Sequence, residues 1–312
     1  MVNHIIKRLL LMIPILFGVS IIIFTVMSFT PGDPTVLILG EHATDEDIAK
    51  LRAELGLDDA VLVQYMRYVR NALTGDLGRS YHNNQPVAAE VALRFPNTLR
   101  LTIIGTIISI LIGVPIGIIS AVKQYSLIDH SSLIVSLVFT AMPSFWLGLV
   151  LILFFSLRLN LLPATGADSW RHFILPSFTL AAASLAMIIR MTRSTMLEVI
   201  RQDYIRTARA KGANERRVIL SHALQNALLP IVTVIGLNFG RQMGGAIVTE
   251  TVFNVPGIGL LMINGIRSRD TPMVMAAVLV AAIMAALVNL LVDVMYTFID
   301  PRLKSEFARK KT

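Results

Sequence analysis

The stretch from Thr98 to Val122 reads TLRLTIIGTIISILIGVPIGIISAV and carries a single ionisable side chain, Arg100. At about 1.5 Å of rise per residue, roughly 20 helical residues cross the ~30 Å hydrocarbon of a bilayer. So apolar a run offers water no polar face, and in lipid its backbone groups must bond within the segment. It reads as a membrane-spanning helix.

Five more runs have the same character, at approximately 9–29, 131–157, 173–192, 230–249 and 273–299. The expectation is an all-α polytopic membrane protein with six transmembrane helices. Composition agrees: 54% of residues are hydrophobic, 15% are charged and mean hydropathy is +0.68. A soluble domain is about 45–50% apolar and about 25% charged, which excludes a water-soluble enzyme and a disordered chain. Lys7 and Arg8 ahead of the first run resemble a secretory n-region. That run exceeds the usual ~7–15 residue h-region and no small-x-small site follows, so a retained first span is the expectation. Cysteine is absent, which rules out disulfide and thiolate chemistry.

Twenty-eight basic against 20 acidic residues give a net charge of +8. Six spans put both termini on one side. The bases Lys7, Arg8, Lys123, eight arginines and lysines from Arg190 to Arg217, and five from Arg302 onward all fall on that side. The positive-inside rule makes it cytoplasmic, so the sequence predicts an N-in, C-in protein of the plasma (inner) membrane. Most of the charge is then topology, and nucleic acid is not an expected partner.

Segment 30–97 opens with the turn Pro31-Gly32-Asp33-Pro34. Thr44 before Asp45, Glu46 and Asp47 reads as an N-cap with acids in the first turn, of a helix that Gly56 stops. A second amphipathic stretch covers about 59–73, before a turn-rich run from Gly75 to Tyr81. This outer segment reads either as a small capped subdomain over the membrane or as a docking surface for an external partner.

The inner loop 193–229 carries the most information. A polar helix over 197–210 leads to Lys211-Gly212-Ala213-Asn214 and a second helix from about Glu215 to Leu228. Gly212 suits a left-handed turn and Asn214 an N-cap. Seven bases against three acids lie between 193 and 217, and Arg216 and Arg217 oppose the helix dipole at its positive end. Anionic lipid would explain the charge. A protein partner with acidic or carbonyl acceptors would explain the fixed turn as well.

Gly236, Gly240 and Gly244 recur every four residues, as do Gly113 and Gly117, the spacing that lets spans approach closely. Ionisable groups in or beside the spans are Arg100, Arg190, Arg241, Glu250 and Asp293. Each costs roughly 2.5–3.5 kcal/mol on insertion scales and so faces a cavity or a partner. Arg241 either meets an anionic solute group or pairs with Glu250, Asp293 or backbone carbonyls. His4, His42, His82, His130, His172 and His222 lack metal-ligand spacing, and no phosphate loop or hydrolase motif is present. ATP, if used, acts on another chain.

With these residues in place, a likeness emerges. The run Asp203-Tyr204-Ile205-Arg206-Thr207-Ala208-Arg209-Ala210-Lys211-Gly212, continuing to His222-Ala223-Leu224-Gln225-Asn226-Ala227-Leu228-Leu229-Pro230, resembles the cytoplasmic EAA loop of ABC importer permeases, most closely those of dipeptide and oligopeptide importers. Gly75-Asp76-Leu77-Gly78, Arg94 to Leu99, Glu250-Thr251-Val252-Phe253 with Pro256-Gly257-Ile258-Gly259, Arg269-Asp270 and Asp300-Pro301-Arg302 agree with it. Arg206 and Thr207 stand where Glu and Ala are usual in the wider pattern, and Gln225 where proline is. The resemblance therefore carries a docking role rather than a glutamate-based mechanism.

The resemblance implies a type I importer fold: a first helix with its outer subdomain over 1–97, a five-helix importer domain over 98–303, and a cytoplasmic tail, 304–312. It implies four kinds of partner: a second homologous permease, two cytoplasmic ATPase subunits that hold the ATP and magnesium, an extracytoplasmic solute-binding protein, and the bilayer. It implies no cofactor in this chain and no catalysis by it. The coupling residues would be Asp203, Tyr204, Arg206, Thr207, Ala208, Arg209, Ala210, Lys211, Gly212, Asn214, Glu215, Arg216 and Arg217. The solute path would involve Gly240, Arg241, Gly244, Glu250 and Asp293. The outer gate or receptor contact would involve Asp76, Arg79, Phe253, Pro256, Gly257 and Gly259. Uptake of short peptides is the expected function. Rival readings are nickel-chelate, glutathione or oligosaccharide import by the same architecture, or a carrier or channel driven by an ion gradient.

Overall fold

The computed structural model describes residues 2–30, 32–40 and 43–299. Pro31, His42, the Asp300-Pro301-Arg302 motif, the 304–312 tail and the side chain of Asp293 lie outside the described residues. Among the described residues every regular element is helical, and the one β-type pairing is an isolated bridge between Arg79 and Pro86.

Helix α1 (Val2–Phe29) runs into a small helical cap, the segment that the sequence reading puts on the outer side. Asp33 accepts from Thr35 N at 2.9 Å and starts α2 (Pro34–Leu39). Thr44 accepts from Asp47 N at 3.2 Å and starts α3 (Asp45–Leu55), which Gly56 ends at φ +64°. Helix α4 (Val61–Leu73) lies on α1. Tyr65 meets Ser20 hydroxyl to hydroxyl at 2.9 Å and stacks edge-on with Phe24 at 5.5 Å between ring centroids.

The opening stretch lies within α5 (Val87–Val122), a helix of 36 residues that begins well before its apolar run. It packs along α8 (Ile174–Ile200), the most enclosed of the five long apolar helices among the described residues, through side chains that are missing rather than present. A Cβ placed on Gly117 would stand 2.6 Å from Thr192 Cβ, and one on Gly113 would stand 2.9 Å from Ile188 Cγ2. Ser109 closes the contact by donating to the Ala181 carbonyl at 3.2 Å. Small residues thus let the two backbones approach, as the spacing of Gly113 and Gly117 predicts.

The run 131–157 is not one helix. It divides into α6 (Leu127–Ala141) and α7 (Ser144–Leu151), bent by 104°, and α7 continues as a π-helical stretch over Ile152–Arg158. Pro143 is the cause: it has no N–H to give and forces Met142 out of the α region, to ψ 123°. Pro14, Pro96, Pro115 and Pro230 remain inside helices.

The inner loop also differs from expectation. Its first helix is two: α8 ends at Ile200, the chain turns at 201–202, and α9 (Asp203–Ala210) follows. The second does not stop at Leu228. The short α10 (Glu215–Arg217) passes through a π-helical stretch, Val218–Ala223, into α11 (Leu224–Phe253), so loop and span form one continuous rod. Helix α12 (Ile258–Arg267) then folds back by 79°, and α13 (Thr271–Ile299) completes the chain. Five helices are long and apolar enough to cross a membrane, and two bent pairs pass the same test as pairs. Each of the six runs read from the sequence coincides with one of the five or with the pair at 127–158.

Candidate functional site

Two constructions carry the residues singled out above, one at each end of α11. The first is an elbow made of α9, its turn and α10. Ile205 is fully buried and roots α9 in an apolar cluster with Ala121, Met196, Val218, Ile219 and Ala223. Gly212 takes φ +79° with open space where a side chain would be, so the turn needs glycine for its backbone angle alone. Asn214 accepts from Arg216 N at 3.0 Å, the cap its position predicts. Arg209 grips Glu215 through two bonds, 2.6 and 3.1 Å, and ties the two arms of the elbow. Arg206 lies 3.7 Å from Asp203 at the surface. Thr207 Oγ1 donates back to the Asp203 carbonyl of its own helix at 3.0 Å, while Ala208 is half-buried and Ala210 exposed. Tyr204, Arg206, Lys211, Arg216 and Arg217 all project outward. The elbow is stiff at its root and cationic at its tip.

A clamp behind the elbow was not legible in the sequence. Asp129, only 1% exposed, receives Arg193 Nε at 2.5 Å and Nη2 at 2.8 Å. Ser120 Oγ at 2.5 Å and Tyr125 N at 2.9 Å complete its shell. The clamp joins α5, α6 and α8 about two helical turns before α8 ends. Arg193 reads in sequence as a loop base and Asp129 as the edge of a run; only folding makes them a pair.

The second construction is a latch at the far end of α11. Asn254 sits left-handed at φ +47° and turns the chain from α11 towards α12. Glu250 is fully buried, accepts from Thr98 Oγ1 at 2.6 Å and from Leu260 N at 2.9 Å, and so holds the turn against α5. Thr98 in turn accepts from Ile258 N at 2.8 Å, and Asn97 donates to the Pro256 carbonyl at 2.9 Å. Gly257 and Gly259 are required for closeness: a Cβ on Gly257 would overlap the Glu250 carboxylate, and one on Gly259 would stand 2.5 Å from Ile247 Cα. Phe253, 1% exposed, packs on Gly148 of α7. Glu250, Phe253, Pro256, Gly257 and Gly259 are therefore brought together. Asp76 and Arg79 lie apart from them in their own turn, Asp76 accepting from Gly78 N and Arg79 donating to the Asn84 carbonyl, each at 2.9 Å.

Arg241 does not pair with Glu250, whose oxygens are taken by the latch. It is exposed, with no ion pair among the described residues, on a face of α11 shared with Leu237, Gly244 and Val248. A Cβ on Gly240 would make ordinary contact with Asn289 Oδ1 of α13 at 3.7 Å, whereas among the described residues nothing lies within 4 Å of one on Gly244. The close approach that Gly244 offers is left unused among the described residues.

Residues 113–305 match the family described as binding-protein-dependent transport system inner membrane component, and residues 1–102 match the N-terminal membrane component of the same systems. The chain is an ABC importer permease of the peptide/nickel family. The glutathione transport system permease protein GsiC of Escherichia coli O6:H1 (strain CFT073) is 45% identical over 304 residues, 97% of this chain and 99% of that one. The GsiC proteins of Escherichia coli K12 and Shigella dysenteriae serotype 1 are 44% identical with the same coverage. Among solved structures, an inward-facing MetNI methionine ABC transporter superposes with TM-score 0.59 at 20% identity, covering 69% of this chain and 99% of that one, a likeness of fold. The permease is thus a multi-pass inner-membrane protein whose system implies ATPase and substrate-binding partners.

Proposed function

We propose that the permease takes up short peptides by alternating access, driven by ATP hydrolysis on two ATPase subunits that dock on the elbow. The elbow carries this reading. It is a rooted, capped and internally braced projection whose tip offers Tyr204, Arg206, Lys211, Arg216 and Arg217 to a partner. A rod continuous from Glu215 to Phe253 would transmit movement at the elbow along α11 to the latch at its other end. In this reading both termini are cytoplasmic, a second homologous permease covers the open face of α11, and a solute-binding protein delivers cargo at the latch side. Among peptides, glutathione comes first, because the curated relatives that match over nearly their whole length are named glutathione permeases.

Gly212→Val tests it. A β-branched residue at φ +79° costs about 1–2 kcal/mol and re-aims the tip without filling any space. In the reconstituted importer, ATP hydrolysis should continue while uptake of labelled glutathione or dipeptide falls at least tenfold. Fully coupled uptake by the variant would overturn the role given to the elbow.

A further inference from the structure

A cavity of about 380 Å³ opens between the end of α1, the outer cap and the start of α13. Its wall carries five groups that matter here: Asp33, Arg52, Asp59, Tyr81 and Arg269. All but one of the charges are matched. Asp33 is paired with Arg52, and Asp59 with Arg67. Arg269 is the exception: its guanidinium makes no hydrogen bond or ion pair among the described residues, and its Nη1 is shut away from solvent beneath Gly32. The neighbouring carboxylate gives no relief. Asp270 is 2% exposed and spends its oxygens on the Ser80 hydroxyl and the amides of His82 and Met273, while its charge is felt at Tyr81.

A guanidinium holds its charge at every physiological pH, and a buried donor left without an acceptor is costly. Arg269 also lies just before the N-terminus of α13, a helix of 29 residues whose dipole disfavours a cation there. Arg269 as a whole is half-buried and lines the cavity, so an anion entering there can be met by the parts of its guanidinium that remain accessible. We propose that this cavity is a carboxylate site: one carboxylate docks on the Arg269 guanidinium, between the dipole of α13 and the hydroxyl of Tyr81. Two sources share that chemistry, the free C-terminus of a peptide solute and an acidic side chain of the solute-binding protein. The choice between them rests on the importer reading above; the site itself does not.

The test uses the assembled importer in lipid nanodiscs. Phenylglyoxal modification of Arg269 is followed by peptide mass spectrometry with succinate or uncharged succinamide present. Succinate should slow the reaction at Arg269 at least fivefold and leave Arg216 and Arg217 unchanged, and succinamide should do nothing. Equal rates with the two probes overturn the site. Arg269→Gln and Arg269→Lys then identify the source. If the solute supplies the carboxylate, Arg269→Gln abolishes the preference for a free-acid dipeptide over its amide. If the receptor supplies it, docking of the solute-free receptor weakens at least tenfold. Arg269→Lys retains part of either effect. Neither effect, in an importer whose wild type takes up solute on ATP, overturns the proposal and leaves the importer reading standing. A wild type without ATP-driven uptake sinks that reading alone, since the labelling result does not depend on transport.

Discussion

Asp129 shows how a single side chain decides more than its neighbours in sequence suggest. Its carboxylate is enclosed and held by Arg193, Ser120 and Tyr125 N. Removing only the cation leaves an uncompensated buried charge, which typically costs about 3–5 kcal/mol, whereas removing both charges together is often close to neutral. Arg193→Met should therefore lower the melting temperature of the purified permease far more than Arg193→Met combined with Asp129→Leu. Equal losses, read by intrinsic fluorescence on heating, would mean the clamp is not a paired unit. Asp33 behaves differently because it lies at the surface of the outer cap. Burial raises its pKa, but hydrogen bonds from Thr35 and Arg52 outweigh this and hold the carboxyl below its usual value. A depressed carboxylate contributes stability above its unfolded pKa of about 3.9, and that stability is lost as pH falls through the folded value. Hydrogen exchange at α2 and α3 should accelerate as the pH falls below about 4 in the wild type, beyond the intrinsic change, and Asp33→Asn should flatten that response.

At the scale of elements, the α5–α8 contact and the open face of α11 use the same residue type to opposite ends. Gly117 lies against Thr192 and the Ile189 carbonyl, so Gly117→Val overpacks and should cost about 1–3 kcal/mol in the isolated chain. Gly244 has nothing near it, so Gly244→Val should leave the melting of the isolated chain unchanged. If the second permease covers that face, the same change should weaken co-purification of the two permeases; equal recovery would remove the partner from this face. Glycine spacing alone does not separate the two cases. It marks where a helix can be approached and leaves open by what. The division at Pro143 has a similar origin. Proline is tolerated inside several spans here, whereas at Pro143 the preceding Met142 leaves the α region and the run divides.

For the whole molecule, the continuity from elbow to latch matters most, because a rod moves at both ends. An ion-gradient carrier would need no such rod and would act alone. The purified chain in liposomes under a proton or sodium gradient should therefore give no peptide flux, and flux should require the ATPases, the second permease and ATP. Uptake by the lone chain would favour the carrier. The elbow, the latch and the outer cap each draw on residues far apart in the chain, Thr98 on Glu250 and Ser80 on Asp270 among them.

Local chemistry alone determined a good deal. Apolar runs of fixed length predict helices because lipid offers the backbone no other partner. Thr44, Gly56, Gly212 and Asn214 announce caps and turns because their effect extends over only a few residues. The resemblance of the elbow and of the Glu250-to-Gly259 run rests on contiguous motifs for the same reason. Tertiary structure alone decided which ionisable groups are satisfied: Arg193 by Asp129, Glu250 by a hydroxyl and an amide instead of Arg241, and Arg269 by nothing in the described chain. Pairing of that kind depends on distance in space, and the cost of burying a charge is set by the helices that close around it.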